Sequence, residues 1–261
     1  MSAASDAGRR FGLIVVADEI LAGARTDKHL PAFRELLHAR GHGLAWCWIL
    51  PDDPVLLTGQ LTASMAGGLP VFCCGGIGAT PDDHTRACAA AAAGVALERH
   101  PEALALIEKR FAADAYPHRV LMADLPAGAK LIPNPVNQIP GFMLREHWFL
   151  PGFPRMAWPM AEWVLDTHYP AAAPPREAAV AVYGTPESRL IPLLRALDAS
   201  QPGLKLFSLP HLGDDPADRY VLLGFRGQGD LDSAMAALCV ALDADGIAYG
   251  PPPGNVQARQ P

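Results

Sequence analysis

Three short apolar runs alternate with helix-periodic stretches over the first quarter of the chain, and this alternation constrains the fold more than any other feature. Phe11 to Ala17 is apolar throughout and bounded by charged residues, the pattern of a strand buried on both faces. Leu30, Phe33, Leu36 and Leu37 recur at helical spacing, and Gly41 ends that helix. Leu44 to Leu50 reads as a second buried strand. Asp53 and Pro54 then supply an N-cap and a first-turn proline for a helix carrying Leu57, Leu61 and Met65, which stops at Gly67 and Gly68. Pro70 to Cys74 is a third strand. Strands joined by single helices imply right-handed crossovers, so the front of the chain is expected to be α/β: a three-layer sandwich around a mainly parallel sheet.

Later elements are shorter. A helix is expected from Pro101 to Ala112, followed by a proline-rich excursion from Leu125 to Gly141 that excludes regular helix. Gly141 to Leu144 and Trp148 to Leu150 suggest a hairpin, and Met156, Met160, Trp163 and Val164 mark an amphipathic helix. The domain pattern expected is an α/β domain over 1–168, a linker over 169–176 (YPAAAPPR), a small α+β module over 177–249 and a disordered tail over 250–261. In the module, strands are expected at Ala178 to Val182, Leu204 to Leu209 and Tyr220 to Phe225. Its helices are expected at Glu187 to Leu197 and along Leu231, Met235, Leu238 and Leu242.

Composition excludes several functions. Twenty-one Lys and Arg against 27 Asp and Glu give a net charge of −6 without a basic run, which argues against a nucleic-acid polymer as partner. No stretch reaches the roughly 18 apolar residues of a membrane helix. Five cysteines without a CxxC pair suit free thiols in a reducing compartment, and the seven apolar residues after Arg9 and Arg10 are too short for a secretory leader. A cytoplasmic protein is the expectation. There is no G-x-S-x-G elbow, and His38 and His42 straddle a helix-ending glycine, so neither a serine nucleophile nor a histidine metal pair is indicated. Cys73 and Cys74 read as small core residues.

The segment Cys73 to Thr85, CCGGIGATPDDHT, follows an expected parallel strand and precedes a helix, the place where ligands bind in open α/β sheets. Gly75, Gly76 and Gly78 let backbone approach a ligand closely, and the following helix directs free N–H groups at it, which suits phosphate or pyrophosphate. Neither a Walker A lysine nor a full dinucleotide motif is present. Asp82 and Asp83 beside such a cradle repel one another by about 3 kcal/mol at roughly 5 Å and an effective dielectric near 20. A divalent cation, Mg2+ above all, reverses that sign. Asp83 also reads as a cap for the next helix. Asp18 and Glu19 end strand one and Asp52 ends strand two, so the parallel topology brings them to the same sheet edge. Asp18, Asp52, Asp82 and Asp83 are the candidate metal ligands, and His29 and His84 flank the expected pocket.

In this order the motifs resemble the molybdopterin-binding superfamily of MoaB, Mog and the gephyrin G domain. The resemblance is greatest to the amino-terminal region of CinA-type proteins and the related domain of FAD synthases. It runs from Phe11 to about His168 and is carried by Asp18-Glu19-Ile20-Leu21 with Gly23, Pro51-Asp52-Asp53, and Gly75-Gly76-Ile77-Gly78 with Thr80, Asp82, Asp83 and Thr85. Pro133-Asn134-Pro135-Val136 with Pro140-Gly141-Phe142, and Leu150-Pro151-Gly152 with Pro154, complete it. The resemblance implies a homo-oligomer binding molybdopterin or an adenine nucleotide, with ligand contacts from Gly75, Gly76, Gly78, Thr80, Thr85, Asn134, Pro151 and Gly152. It implies Asp52 and Asp83 as catalytic residues of magnesium-dependent adenylyl transfer or of pyrophosphate hydrolysis on ADP-ribose or FAD. Pro186-Glu187-Ser188 resembles the start of the small domain that follows in CinA-type proteins. Where the family has paired Thr, Pro, Asn and two Glu, this chain has Cys73-Cys74, Ala79, His29, Ala87 and Met156. The other reading is a non-catalytic oligomeric or adaptor protein that keeps the fold.

Overall fold

The structure is a computed structural model describing residues 8–174, 176–201, 203–213 and 219–253. The chain divides into two compact units, with the break between Ala172 and Ala173. The first opens with β1 (Arg10–Val16), α1 (Asp18–Leu21), α2 (His29–His38), β2 (Gly43–Leu50), α3 (Pro54–Ala66), β3 (Val71–Cys74) and α4 (Thr85–Ala93). It continues through β4 (Leu97–Arg99), α5 (Pro101–Phe111), β5 (Asp124–Pro126), β6 (Lys130–Ile132), β7 (Gly141–Leu144), β8 (His147–Leu150) and α6 (Pro154–His168).

Six strands form one sheet in the order β2-β1-β3-β8-β7-β6. β2, β1, β3 and β8 are mutually parallel, and only the β8–β7 and β7–β6 pairs are antiparallel. β1 explains its own composition: Leu13 and Val15 pack on one side with Phe33 and Leu37 of α2 and Met160 and Val164 of α6. Ile14 and Val16 pack on the other with Leu57 and Leu61 of α3, Ala89 of α4 and Ile107 of α5. A strand covered on both faces needs an unbroken apolar run. The result is a three-layer α/β sandwich.

Several expectations shift. β2 is the edge strand and is only half-buried along most of its length, because among the described residues no strand pairs with its outer side. Its Trp46 and Trp48 rings stack at 4.1 Å, and Trp46 lies over Gly12, where a Cβ would approach the indole to 2.3 Å. The proline-rich excursion holds β5 and β6, three residues each, and β5 pairs with β4. Strands this short carry no readable period. Trp163, placed on the apolar stripe of α6, is 37% exposed. Tyr169, placed in the linker, is buried, accepts a hydrogen bond from Trp148 Nε1 at 2.9 Å and donates one to Glu146 at 2.8 Å. The Ala172 amide donates to the Arg40 carbonyl at 3.0 Å, so the chain stays attached to the first unit through 172.

The second unit runs β9 (Arg176–Tyr183), α7 (Glu187–Asp198), β10 (Leu204–His211), β11 (Tyr220–Gly227), α8 (Leu231–Ala244) and β12 (Tyr249–Gly250). Its antiparallel sheet has the order β10-β11-β9-β12, the split β-α-β arrangement, with Leu190 and Leu193 of α7 and Leu238 and Leu242 of α8 packed on one face. Gly250, expected to begin the tail, pairs with Ala181 instead; positions 254–261 lie outside the described residues.

Candidate functional site

The strand registers decide which loops meet. Leu50 lies opposite Val16, Cys74 opposite Val15, and Leu150 opposite Cys74. β6 runs in the same direction as these strands, being two antiparallel steps from β8. The segments after β2, β1, β3, β8 and β6 therefore leave the sheet at one edge, the carboxyl edge. In spatial order they bring Asp52, Asp18, the glycine turn, Pro151-Gly152 and Asn134.

The turn is built on its own side chains. Gly75 and Gly76 adopt φ of +112° and +66°, and a Cβ on them would approach the Val16 carbonyl oxygen and the Thr85 hydroxyl, each to 2.2 Å. Thr85 is fully buried: its hydroxyl donates to the Gly75 carbonyl at 2.9 Å and its amide to the Gly76 carbonyl at 3.0 Å. Thr85 thus holds the turn from behind. Asp83 accepts from the Gly78 amide at 2.9 Å, from the Thr80 amide at 2.8 Å and from the Thr80 hydroxyl at 2.5 Å. Gly78 has no room for a side chain because a Cβ would stand 2.5 Å from an Asp83 oxygen. The expected helix cap is absent: α4 is preceded by His84, without a side-chain cap, and the Asp83 carboxylate faces back into the turn. Among the described residues, the amides of Gly76, Ile77 and Ala79 meet no protein acceptor, which leaves them as the free donors of the cradle.

On the β2 side, Asp52 Oδ2 accepts from the Asp18 amide at 3.3 Å. Burial raises the Asp52 carboxyl above the usual carboxylate range, and the charges of Asp18, Asp82 and Glu19 add to that. Asp82, rather than Asp83, is the turn aspartate whose charge reaches Asp52. Asp53 caps α3, accepting from the Leu56 amide at 2.7 Å, as its sequence position implies. Among the described residues, no group of three or more His, Cys, Asp or Glu is arranged to hold a metal ion. The donors present are carboxylate oxygens under mutual repulsion, which fits a hard ion such as Mg2+, held by one or two carboxylates with ligand oxygens and water, and not a closed protein cage.

The sequence reading missed Arg86. Its side chain lies buried behind the turn and donates to the Gly78 carbonyl at 2.7 Å, the Asp124 carbonyl at 3.0 Å and the Leu121 carbonyl. Burial lowers its pKa, while the charges of Asp124 and Asp83 oppose that. Among the described residues no carboxylate pairs with the guanidinium, which donates to carbonyls alone. The signal available in the sequence is an arginine placed directly after Thr85 in a helix whose later positions are alanine apart from Cys88.

On the β8 side, His29 is buried and its Nε2 donates to the Gly152 carbonyl at 3.0 Å, so it positions the Pro151-Gly152 segment from inside. Gly152 in turn backs the turn, where a Cβ would lie 3.4 Å from Gly75 Cα. Asn134 Oδ1 accepts from the Val136 amide at 3.0 Å and more weakly from the Asn137 amide at 3.5 Å. Burial pushes the Cys73 and Cys74 thiols far up, in keeping with core residues rather than nucleophiles.

A family model described as a probable molybdopterin binding domain matches residues 12–171, a span that contains every loop of this edge. The chain belongs to that family. Within it, a CinA-like protein of Citrifermentans bemidjiense is 34% identical over 152 residues, covering 56% of this chain and 37% of the relative. The chain therefore spans little more than a third of that relative's length. A protein of Pyrobaculum calidifontis is 29% identical over 208 residues, 76% of this chain and 79% of its own. The crystal structure of a CinA protein of unknown function from Thermoplasma acidophilum superposes with a TM-score of 0.56 at 25% identity, over 60% of this chain and 98% of that one. Among the described residues, no helix is long and apolar enough to cross a membrane.

Proposed function

We propose that the first unit binds a pterin or nucleotide carrying a phosphate or pyrophosphate at the carboxyl edge of its sheet, and acts on the phosphoanhydride with a divalent metal. The observation that carries this reading is the glycine turn: three backbone donors that meet no acceptor among the described residues, a buried guanidinium bonded to the turn, and carboxylates on the neighbouring strand ends. The amides of Gly76, Ile77 and Ala79 hold the phosphate oxygens. Arg86 lowers the cost of bringing that negative charge to an edge already carrying Asp18, Asp52 and Asp82. Asp52, with Asp18 or Asp82, holds the ion; when bound, Mg2+ supplies charge stabilisation at phosphorus. Burial and the neighbouring charges disfavour the Asp52 carboxylate, and a bound cation would offset that cost. Asp83 keeps the turn in shape.

A second reading, binding without turnover in an oligomeric or adaptor protein, is favoured by one specific feature: Ala87 and Met156 stand where the resemblance expects glutamates. Release of AMP from ADP-ribose and FAD, with ribose 5-phosphate or FMN as the other product, measured with Mg2+ and Co2+, separates the two. Turnover that is lost in Asp52→Asn supports catalysis. Binding of these compounds by calorimetry without release supports the adaptor. Absence of both binding and release rejects the phosphate reading.

A further inference from the structure

The helices of the second unit pack on one face of its sheet, and the other face is apolar as well. A sheet covered on one side alternates apolar inward and polar outward. Here Ala181, Tyr220 and Leu222 form a cluster of their own on the outward side with Ala179 and Phe207, and no helical residue among those described enters it. Around the cluster, Leu209 is 54% and Tyr183 37% exposed. A row of rings crosses three strands at one end of this face, with His211 stacked on Tyr220 at 4.7 Å and Tyr220 tilted against Tyr183 at 6.1 Å. At the other end the registers place Lys205, Arg226 and Glu177 side by side. Arg226 and Glu177 are direct cross-strand neighbours, yet among the described residues no ion pair joins them. The guanidinium leans instead over Phe207, 5.8 Å from the ring centroid, and Glu177 is left without a cation. Size is uneven too: β10 carries the bulky Phe207 and Leu209, whereas β9 and β12 offer Ala179, Ala181 and Gly250.

We infer that this face pairs with the same face of a second copy of the chain, about a two-fold axis running along the strands between β11 and β9. That axis lays β11 over the partner's β9 and β10 over the partner's β12. Arg226 of one copy then meets the partner's Glu177, and symmetry repeats the contact, so the charges left over in one chain are matched twice. On the same rows Tyr220 meets the partner's Tyr183, and the bulky Leu209 lies over the partner's Gly250. Three eight-residue strands about 4.8 Å apart, rising about 3.3 Å per residue, present roughly 400 Å2 per copy before β12 and side-chain relief are counted. The pair therefore lies near the lower end of specific interfaces, about 1,000 Å2 in total, and forms reversibly. A single-stranded nucleic acid also stacks on sheet-face rings, but it needs a cationic groove, and here Glu177 shares the row of Lys205 and Arg226.

The test is sedimentation velocity of the full chain over a concentration series from about 1 to about 200 µM, which spans the affinity of an interface this small. The weight-average mass rises with concentration towards twice its starting value. Leu209→Glu and Arg226→Glu hold it at the starting value throughout. Arg226→Glu combined with Glu177→Arg restores the rise, because the exchanged charges match again across the axis. Arg226→Glu sets two carboxylates opposite each other on neighbouring strands of one chain. Circular dichroism checks that it folds, and Leu209→Glu, which has no such neighbour, carries the test if it does not. Val240→Glu, on the helical side of the unit at a residue 68% exposed, behaves as wild type. A mass that does not change with concentration overturns the pairing, whatever else covers the face. So does a rise that Leu209→Glu leaves intact, or one that Val240→Glu abolishes. A charge exchange that folds and fails to restore the rise overturns the axis on which the pairing is built.

Discussion

The Asp83 carboxylate and the Gly78 amide are joined by a 2.9 Å hydrogen bond, and through it an acidic side chain holds the shape of the glycine turn. Both Asp83 oxygens accept, one from Gly78 and one from Thr80. An asparagine in its place turns an NH2 group towards one of these donors. Asp83→Asn is therefore expected to keep the overall fold and to loosen residues 76–80, with a cost of about 1–3 kcal/mol for the charge-assisted bonds lost. Amide hydrogen exchange checks this: Gly78 and Thr80 lose protection, while Ile14 and Phe72 in the sheet keep theirs. Protection unchanged at Gly78 is the contrary result.

Arg86 serves three carbonyls from three segments, those of Gly78, Leu121 and Asp124. Arg86→Ala strands all three inside the protein and is expected to destabilise the first unit by about 3 kcal/mol. Arg86→Lys supplies a single ammonium in place of the planar fork and recovers only part of that. Urea denaturation of the two variants beside wild type gives the order. In Arg86→Lys, which keeps the charge, pyrophosphate affinity falls less than in Arg86→Ala.

How far the sequence discloses this depends on length scale. β1 and β3 are legible because each is buried on both faces and so must be apolar throughout. Asp53 is legible as a cap because capping is local: the acceptor and the Leu56 amide are three residues apart. The convergence of Asp18, Asp52 and the glycine turn follows from parallel topology alone. What the sequence conceals is the direction each side chain faces once there. Thr85 and Asp83 sit in a ligand-binding pattern, yet in this geometry they turn inward to hold the turn: the Thr85 hydroxyl takes the Gly75 carbonyl, and the Asp83 carboxylate takes the Gly78 and Thr80 amides. Arg86 is concealed for a different reason: its partners lie 35 and 38 residues away, in short elements without a period. Tyr169 is read as linker because its neighbours are prolines, whereas its burial comes from Trp148 and Glu146, more than 20 residues earlier.

The surroundings of Asp52 disfavour its ionised form, although the Asp18 amide bond partly offsets this. Burial first, and then the charges of Asp18, Asp82 and Glu19, raise its pKa in the folded chain above the ordinary carboxylate value of 3.8. Between the unfolded and folded pKa the native state holds more protons, so this group stabilises the fold in acid, and its contribution is lost as pH rises through the folded pKa. Asp52→Asn is expected to raise Tm at pH 7 without added metal, by about 1–2 °C, the scale of a few tenths of a kcal/mol in a domain of this size. The gain disappears at pH values below the ordinary carboxylate pKa. Added Mg2+ with pyrophosphate raises the wild-type Tm more than that of the variant. Scanning calorimetry at pH 7 and pH 3.5 shows both effects, and an unchanged or lower Tm for the variant at pH 7 contradicts the argument.

His147 is the opposite case, at the other end of β8. It is fully buried, lies 2.8 Å from Ser64 Oγ through Nε2, and donates from Nδ1 to the Arg145 carbonyl at 2.9 Å. Burial lowers its pKa below the ordinary histidine value of 6.5, against the smaller raising effects of the Arg145 carbonyl and Glu146. Between the folded pKa and 6.5 the unfolded chain binds the extra proton, so stability is present above about pH 6.5 and falls as the solution is acidified. One such group contributes a slope of up to about 1.4 kcal/mol per pH unit in that window. His42, buried and also shifted down, adds to the slope. His147→Gln keeps hydrogen-bonding capacity for Ser64 and removes the titration. It is expected to lower stability at pH 7.5 by about 1–2 kcal/mol through imperfect packing, and to flatten the loss between pH 6.5 and 5. Urea midpoints collected across pH 5–8 for wild type and variant decide it: parallel curves place the acid sensitivity elsewhere, and converging curves assign it to this buried imidazole.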